Sequence, residues 1–299
     1  MSVMAGTSMA MGRGNESRLS ARRLTSSAMF WGCSAATVSV IMLLLIVTGY
    51  LFVLGWPGLS WSLFTQEPTG DAQNPGGLKH AIVGTLELLG LAAGAGVPIG
   101  MLAGVYLSEY AHEGRAVLGK VVRFVSDVLA GVPSIVVGIM GYELLVVPMG
   151  HHSGWAGALA LGFIMVPIVA RTTEEMLRLV PDSYRAGSLA LGATKSQTIV
   201  RVVLPAATGS LVTGVMLAIA RVAGETAPLL FTALGNRALT TNPNEPFPSL
   251  TVQVYNYVTG PFEKQKQVGW AGILVLIALL MALNGLIRFT SARAMKGRR

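Results

Sequence analysis

Two charged residues four apart in an apolar stretch, Arg221 and Glu225 in ARVAGETAPLLFTA, are the most chemically pointed feature of this 299-residue chain. On a continuous helix they share a face and lie about 6 Å apart along the axis. If the stretch crosses a bilayer, each charge costs on the order of 2.5–3.5 kcal/mol near its centre. Such a cost suggests a use. A guanidinium can grip a tetrahedral oxyanion through two N–H groups, with Glu225 orienting it and keeping its hold transient. Thr226 adds a hydroxyl, and Pro228 can free backbone groups to face water. The competing use is an ion pair that locks two helices. Pro133 and Ser134, in GVPSIVVGI, form a second candidate: they break a helix and expose carbonyls and a hydroxyl, as part of a path, a hinge or an ordinary kink.

Other motifs carry less. Gly114 to Val121 reads GRAVLGKV, which follows the phosphate-cradling spacing until its last position. There Val121 replaces the Ser or Thr that holds magnesium, and no strand precedes the segment. If the protein uses ATP, another chain must bind it. His80, His112, His151 and His152 are scattered and offer no metal-ligand set. Cys33, the single cysteine, excludes a disulfide framework and a Cys-rich zinc site. Glu87 and Glu143 lie in or near apolar stretches, where they either line a path or bond to neighbouring backbone.

The elements that position these residues are membrane spans. The chain is 52% hydrophobic and only 12% charged, against roughly 25% charged in soluble domains. Its mean hydropathy is +0.60. Runs of about 20 apolar residues cross the hydrocarbon layer. That criterion gives six helices, at about 30–54, 81–107, 122–148, 155–170, 203–232 and 268–287. Residues 1–29 read as a flexible cytoplasmic tail, 55–80 as an extracytoplasmic loop, 81–290 as the core and 291–299 as a basic cytoplasmic tail. The first run is too long for a cleaved signal sequence.

The formal charge of +8 is a matter of topology rather than of nucleic-acid binding. Arg13, Arg18, Arg22 and Arg23 precede the first span; Arg115, Lys120 and Arg123 fall in the second-to-third connection; Arg171, Arg178, Arg185, Lys195 and Arg201 follow the fourth; Arg288, Arg293, Lys296, Arg298 and Arg299 end the chain. The alternate connections hold only Lys79, Arg237, Lys264 and Lys266. Basic residues stay inside, so both termini are expected to be cytoplasmic, beside anionic lipid headgroups. Ala92, Gly96, Gly100 and Gly104 recur every fourth residue, a stripe that lets another helix approach closely or lines a pore seam.

Outside the membrane the most organised stretch is RTTEEMLRLVPDSYRAGSLALGATKSQTIVRVVLP, residues 171–205. Thr172 with Glu175 predicts a capping box that starts a helix, Glu174 and Arg178 are spaced to pair along it, and Pro181 ends it. Asp182 or Ser183 caps a second helix through Leu191, Gly192 suits a left-handed corner, and Thr194 with Gln197 opens a third helix. Such a corner either transmits force to something docked against it or simply connects two spans.

The spacing from Gly192 to Leu204 and Pro205 resembles the EAA loop of bacterial ABC importer permeases. The family's E-A-A positions fall on Ala186, Gly187 and Ser188, so its glutamate is absent here. VYLSEYA (105–111), GVPSIVVGI (131–139), 190–205, 220–233 and PSLTVQVYNYV (248–258) are similar to phosphate-importer permeases of that family, covering roughly 80–290. The resemblance implies an all-α integral membrane protein with the type I ABC importer permease fold, forming half of a channel and making or breaking no bond. It implies a second, related (PstC-like) permease, two copies of an ATPase that carries ATP and Mg, and an extracytoplasmic phosphate-binding protein. Coupling to the ATPase would fall on Ala186, Gly187, Ser188, Gly192, Ala193, Thr194 and Lys195. A permease for another oxyanion or phosphonate is the alternative.

Overall fold

The computed structural model describes residues 4–111 and 116–296. His112, Gly114, Arg115, Arg298 and Arg299, used above, lie outside them. Among the described residues the chain is helical, with one isolated bridge between Leu234 and Phe247 in place of a sheet.

Helix α1 is Met4–Gly55. Residues 4–29, expected as a flexible tail, are therefore helical. No proline precedes Pro57, so the span's helix propagates backward without a new nucleation step. The side chains of Thr25–Phe30 and of most residues to Val53 are exposed. The chain divides into two units, one up to Val53 and a second from Leu54 onward.

The second unit starts with a short helix, α2 (Trp61–Thr65), and a loop leading to α3 (Lys79–Glu109). Then come α4 (Ala116–Gly131), α5 (Ser134–Met149) and α6 (Gly154–Arg178). The remaining helices are α7 (Asp182–Ala190), α8 (Lys195–Ala223), α9 (Ala227–Thr232), α10 (Leu250–Thr259) and α11 (Glu263–Lys296). Five described helices are long and apolar enough to cross a membrane, or six if α4 and α5 count as one broken span.

The small-residue stripe is a packing seam between α3 and α6. A Cβ on Gly100 would fall 2.7 Å from that of Val169, and one on Gly104 would fall 2.5 Å from the Ala170 carbonyl and the Thr173 Cβ. Backbone contact this close needs glycine. Leu88, Leu161, Met165, Val169 and Val222 fill the core around the seam.

Three spans differ from their expected form. The third bends by 100° between Gly131 and Ser134, because Pro133 has no N–H and drives Val132 out of the helical region. Each half is about 16 residues, roughly 24 Å, and falls short of a ~30 Å layer. The fifth stops at Ala223 and resumes at Ala227, broken at Gly224 before Pro228. The fourth is longer than expected and runs unbroken to Arg178, so Thr172 is not a cap. Its hydroxyl donates to the Ile168 and Val169 carbonyls within the helix, at 2.9 and 3.1 Å.

Two widened, π-type turns, Tyr142–Val146 and Ile199–Val203, each end two residues before a proline, Pro148 and Pro205. A proline ring clashes with the carbonyl one turn back. Widening that turn removes the clash and lets both helices continue.

Candidate functional site

The corner after α6 is built as a rigid unit. Pro181 ends the preceding turn and occupies the capping position of α7, whose first residue, Asp182, makes no side-chain capping bond. Gly192 adopts φ +85°, a left-handed conformation that costs other residues about 1–2 kcal/mol. The capping box forms as expected: Thr194 Oγ1 accepts the Gln197 N–H at 3.3 Å, and Gln197 Oε1 accepts the Thr194 N–H at 2.9 Å. Ser188 and Thr198 join α7 to α8 through their hydroxyls, 2.9 Å apart.

What anchors this corner was not legible beforehand. Arg185 donates through Nη2 and Nε to the two oxygens of Glu109, at 2.7 and 3.2 Å. Its Nη2 and Nη1 also donate to the Leu177 and Val180 carbonyls, at 2.9 and 2.7 Å. One guanidinium thus ties the end of α3, the end of α6 and α7 together. The Glu109 side chain is 6% exposed and that of Arg185 19%. The hydrogen bonds to Glu109 raise the Arg185 pKa further, so the cation persists at any ordinary pH. A second knot lies alongside, where buried Glu174 accepts Arg123 at 2.5 Å and Arg178 at 2.6 Å. The expected pairing of Glu174 with Arg178 is present, and Arg123 adds α4 to it. Lys195 lies 4.6 Å from the Tyr110 ring centroid, again linking the corner to the end of α3.

Of the residues expected to face an ATPase, Ala186, Gly187, Gly192 and Thr194 are exposed, while Ser188, Ala193 and Lys195 are half-buried. Beside them Leu191 is 90% exposed, with Leu189 and Tyr184 also projecting. Anchored backbone carrying an apolar tip is the composition of a protein-docking surface.

The candidate path residues are placed differently. Arg221 is in the last turn of α8 and exposed, while Glu225 and Thr226 sit half-buried in the break that follows. Among the described residues no ion pair joins Arg221 to Glu225. The spacing predicted one face of a continuous helix, and Gly224 interrupts that helix first. The Glu225 carbonyl accepts the Thr251 hydroxyl at 3.3 Å, tying the break to α10. Pro133 caps α5 and Ser134 is its first residue. Along α5, Gly138 lies against α9, where an added Cβ would fall 2.8 Å from the Pro228 Cα. The two helix breaks are therefore followed by helices packed on each other. Glu87 is half-buried on α3 and Glu143 is exposed in a π-type turn. His151 and His152 occupy the connection after α5, and 116–121 is the start of α4.

Broken membrane helices joined to a stiff projecting corner define a multi-pass helical membrane protein of the transporter type. Residues 96–296 match the family of binding-protein-dependent transport system inner membrane components, and the chain belongs to that family. Among its relatives, the phosphate transport system permease protein PstA of Haemophilus influenzae is 43% identical over 250 residues, 83% of this chain and 88% of that protein. PstA of Yersinia pestis is 43% identical over 80% of each chain. Among solved structures, an inward-facing MetNI methionine ABC transporter aligns with a TM-score of 0.54 at 21% identity, covering 73% of this chain and 92% of that one. A bacterial ABC transporter that imports alginate aligns at 0.63 and 14% identity, covering 88% and 96%. These structures support the ABC importer permease fold.

Proposed function

We propose that the chain is the membrane-spanning permease subunit of an ATP-driven inorganic phosphate importer in a bacterial cytoplasmic membrane, forming half of the translocation path. Its similarity to PstA proteins supports phosphate as cargo. The basic residues grouped about the corner support a cytoplasmic corner and cytoplasmic termini. The observation that carries the coupling assignment is the anchored corner with Leu191 projecting from it. A partner ATPase dimer docks there, along Ala186–Ser188 and Gly192–Lys195, and holds the ATP and Mg. The absent family glutamate at Ala186 shifts the contact toward the apolar tip.

Force from nucleotide hydrolysis enters through Leu191 and passes by way of Arg185 and Glu109 into α3. It spreads to α6 through the glycine seam and to α4 through Glu174. On the path, Arg221 at the open end of α8 attracts the anion with a guanidinium that forms no ion pair among the described residues, and the loosened backbone at 224–226 and 132–134 supplies polar groups. The second half of the path comes from a related permease, and an extracytoplasmic binding protein delivers phosphate from the far face.

Affinity purification in mild detergent tests the reading. The intact chain is expected to bring down an ATPase whose hydrolysis rises with phosphate-loaded binding protein, and Leu191→Asp to lose that ATPase while retaining the related permease. Recovery of the ATPase unchanged by Leu191→Asp refutes the docking assignment.

A further inference from the structure

A cavity of about 480 Å³ lies away from the corner, beside the loop that leads into α3. It is lined by the loop between α2 and α3, the turn at 234–237, α10 and the residues leading into α11. Helix α3 starts beside that loop and ends at Glu109. Its 31 residues separate cavity from corner by roughly 46 Å along the axis. The volume falls within the ~300–1,000 Å³ range of small-ligand sites.

The wall is mostly polar. Arg237, Gln253, Asn256 and Gln265 supply donors, Asp71 supplies a carboxylate, and the Tyr257 hydroxyl donates to the Pro75 carbonyl at 3.5 Å. Arg237 is exposed and forms no ion pair among the described residues. The Asp71 Oδ1 accepts the Gln73 N–H at 2.9 Å, so the carboxylate is fixed in its loop. Of the acids next to lining residues, Glu67 accepts the Leu239 N–H at 3.4 Å and Glu263 pairs with Lys266 at 2.7 Å.

The turn carrying Arg237 is held in place. Leu234 adopts φ +60° and Gly235 φ +92°. Asn236 fastens the turn by donating to the Pro246 carbonyl and accepting the Ala238 N–H, both at 3.0 Å. A non-glycine residue at positive φ stores about 1–3 kcal/mol and persists only where its surroundings enforce it.

We propose that this cavity is an outer holding site for a protonated tetrahedral oxyanion, with Arg237 as its cation and Asp71 as its selector. The assignment rests on the phosphate reading above. A guanidinium binds any such oxyanion through paired N–H groups, so Arg237 alone cannot choose. Phosphate at neutral pH keeps an O–H that can donate to a carboxylate. Sulfate has none and meets Asp71 as a like charge. A repulsive element is what gives specificity against a close analogue.

The test uses the whole transporter assembly in lipid nanodiscs, without nucleotide or binding protein, and reads equilibrium binding of radiolabelled inorganic phosphate with sulfate as competitor. Arg237→Gln is expected to weaken phosphate binding at least tenfold and Arg237→Lys by less. Asp71→Asn is expected to let sulfate compete at least tenfold better. The same assemblies are assayed for ATP-driven phosphate uptake and for affinity toward the binding protein. If the unaltered assembly imports phosphate while Arg237→Gln binds it unchanged, the holding site is wrong and the transport reading stands. If the unaltered assembly binds no phosphate, or if Arg237→Gln weakens only the binding-protein contact, the site is likewise overturned. Failure of the unaltered assembly to import phosphate refutes the transport reading itself.

Discussion

Cutting the Glu109–Arg185 tie should loosen the corner without unfolding the bundle, and the geometry sets how far. Glu109→Ala removes the two hydrogen bonds from Arg185, at 2.7 and 3.2 Å, and a longer one from the Ser108 hydroxyl at 3.3 Å, on a carboxylate that is 6% exposed. Hydrogen bonds to charged groups contribute about 1.5–3 kcal/mol, and breaking a buried ion pair costs about 3–5 kcal/mol. Arg185 is 19% exposed and can recover some hydration, so the low end, about 3 kcal/mol, applies. At 1.4 kcal/mol per factor of ten, local opening of α7 becomes roughly 100-fold more frequent. Hydrogen exchange of the Gly187–Leu191 amides in detergent reads that opening directly. Arg185→Ala should cost about 1 kcal/mol more, because the Leu177 and Val180 carbonyls also lose their donor. Arg185→Lys should recover only part, since an ammonium cannot reproduce the planar fork. Exchange in Glu109→Ala within threefold of the unaltered chain, or a larger effect there than in Arg185→Ala, would refute the argument.

Four further outcomes follow from the packing and the corner. Gly104→Val places branched carbon where a Cβ alone would meet the Ala170 carbonyl at 2.5 Å, and should lower thermal stability in detergent by about 1–3 kcal/mol. Gly90→Ala, where nothing lies within 4 Å, should be neutral or stabilising in the same assay. Thr194→Ala removes half of a capping box and should raise amide exchange at Lys195–Gln197 as expected for about 1 kcal/mol. Gly192→Ala meets no neighbour but must hold φ +85°, so its cost of about 1 kcal/mol should appear in corner exchange while global unfolding stays unchanged.

The corner was legible in the sequence because its signals are local. A left-handed glycine and a capping box depend on residues within four positions of each other, and both formed as read. Thr172 failed as a cap because the same residue types also occur inside helices, where the hydroxyl bonds its own i−4 carbonyl. Arg221 and Glu225 have helical spacing that counts only if the helix continues, and the Gly224 break lies between them. The Arg185–Glu109 tie spans 76 residues. No periodicity or local motif signals a pairing at that separation. Pro133 announced a break, but neither its 100° angle nor the approach of Gly138 to Pro228 on α9 is a local signal. The spans themselves were readable because a bilayer demands long apolar runs, whereas α10, buried but only 10 residues long, gives no such run.

The account stands most directly on ATP-driven accumulation of radiolabelled inorganic phosphate in proteoliposomes. These hold the chain, its related permease and the ATPase, with phosphate-loaded binding protein on the outer side. Phosphate should accumulate above the external concentration only with ATP at the corner face, and Arg221→Gln should abolish accumulation while the assembled subunits remain together. Undiminished uptake by the Arg221→Gln assembly would remove that residue from the path, and absence of accumulation by the unaltered assembly would contradict the proposal that this chain imports phosphate.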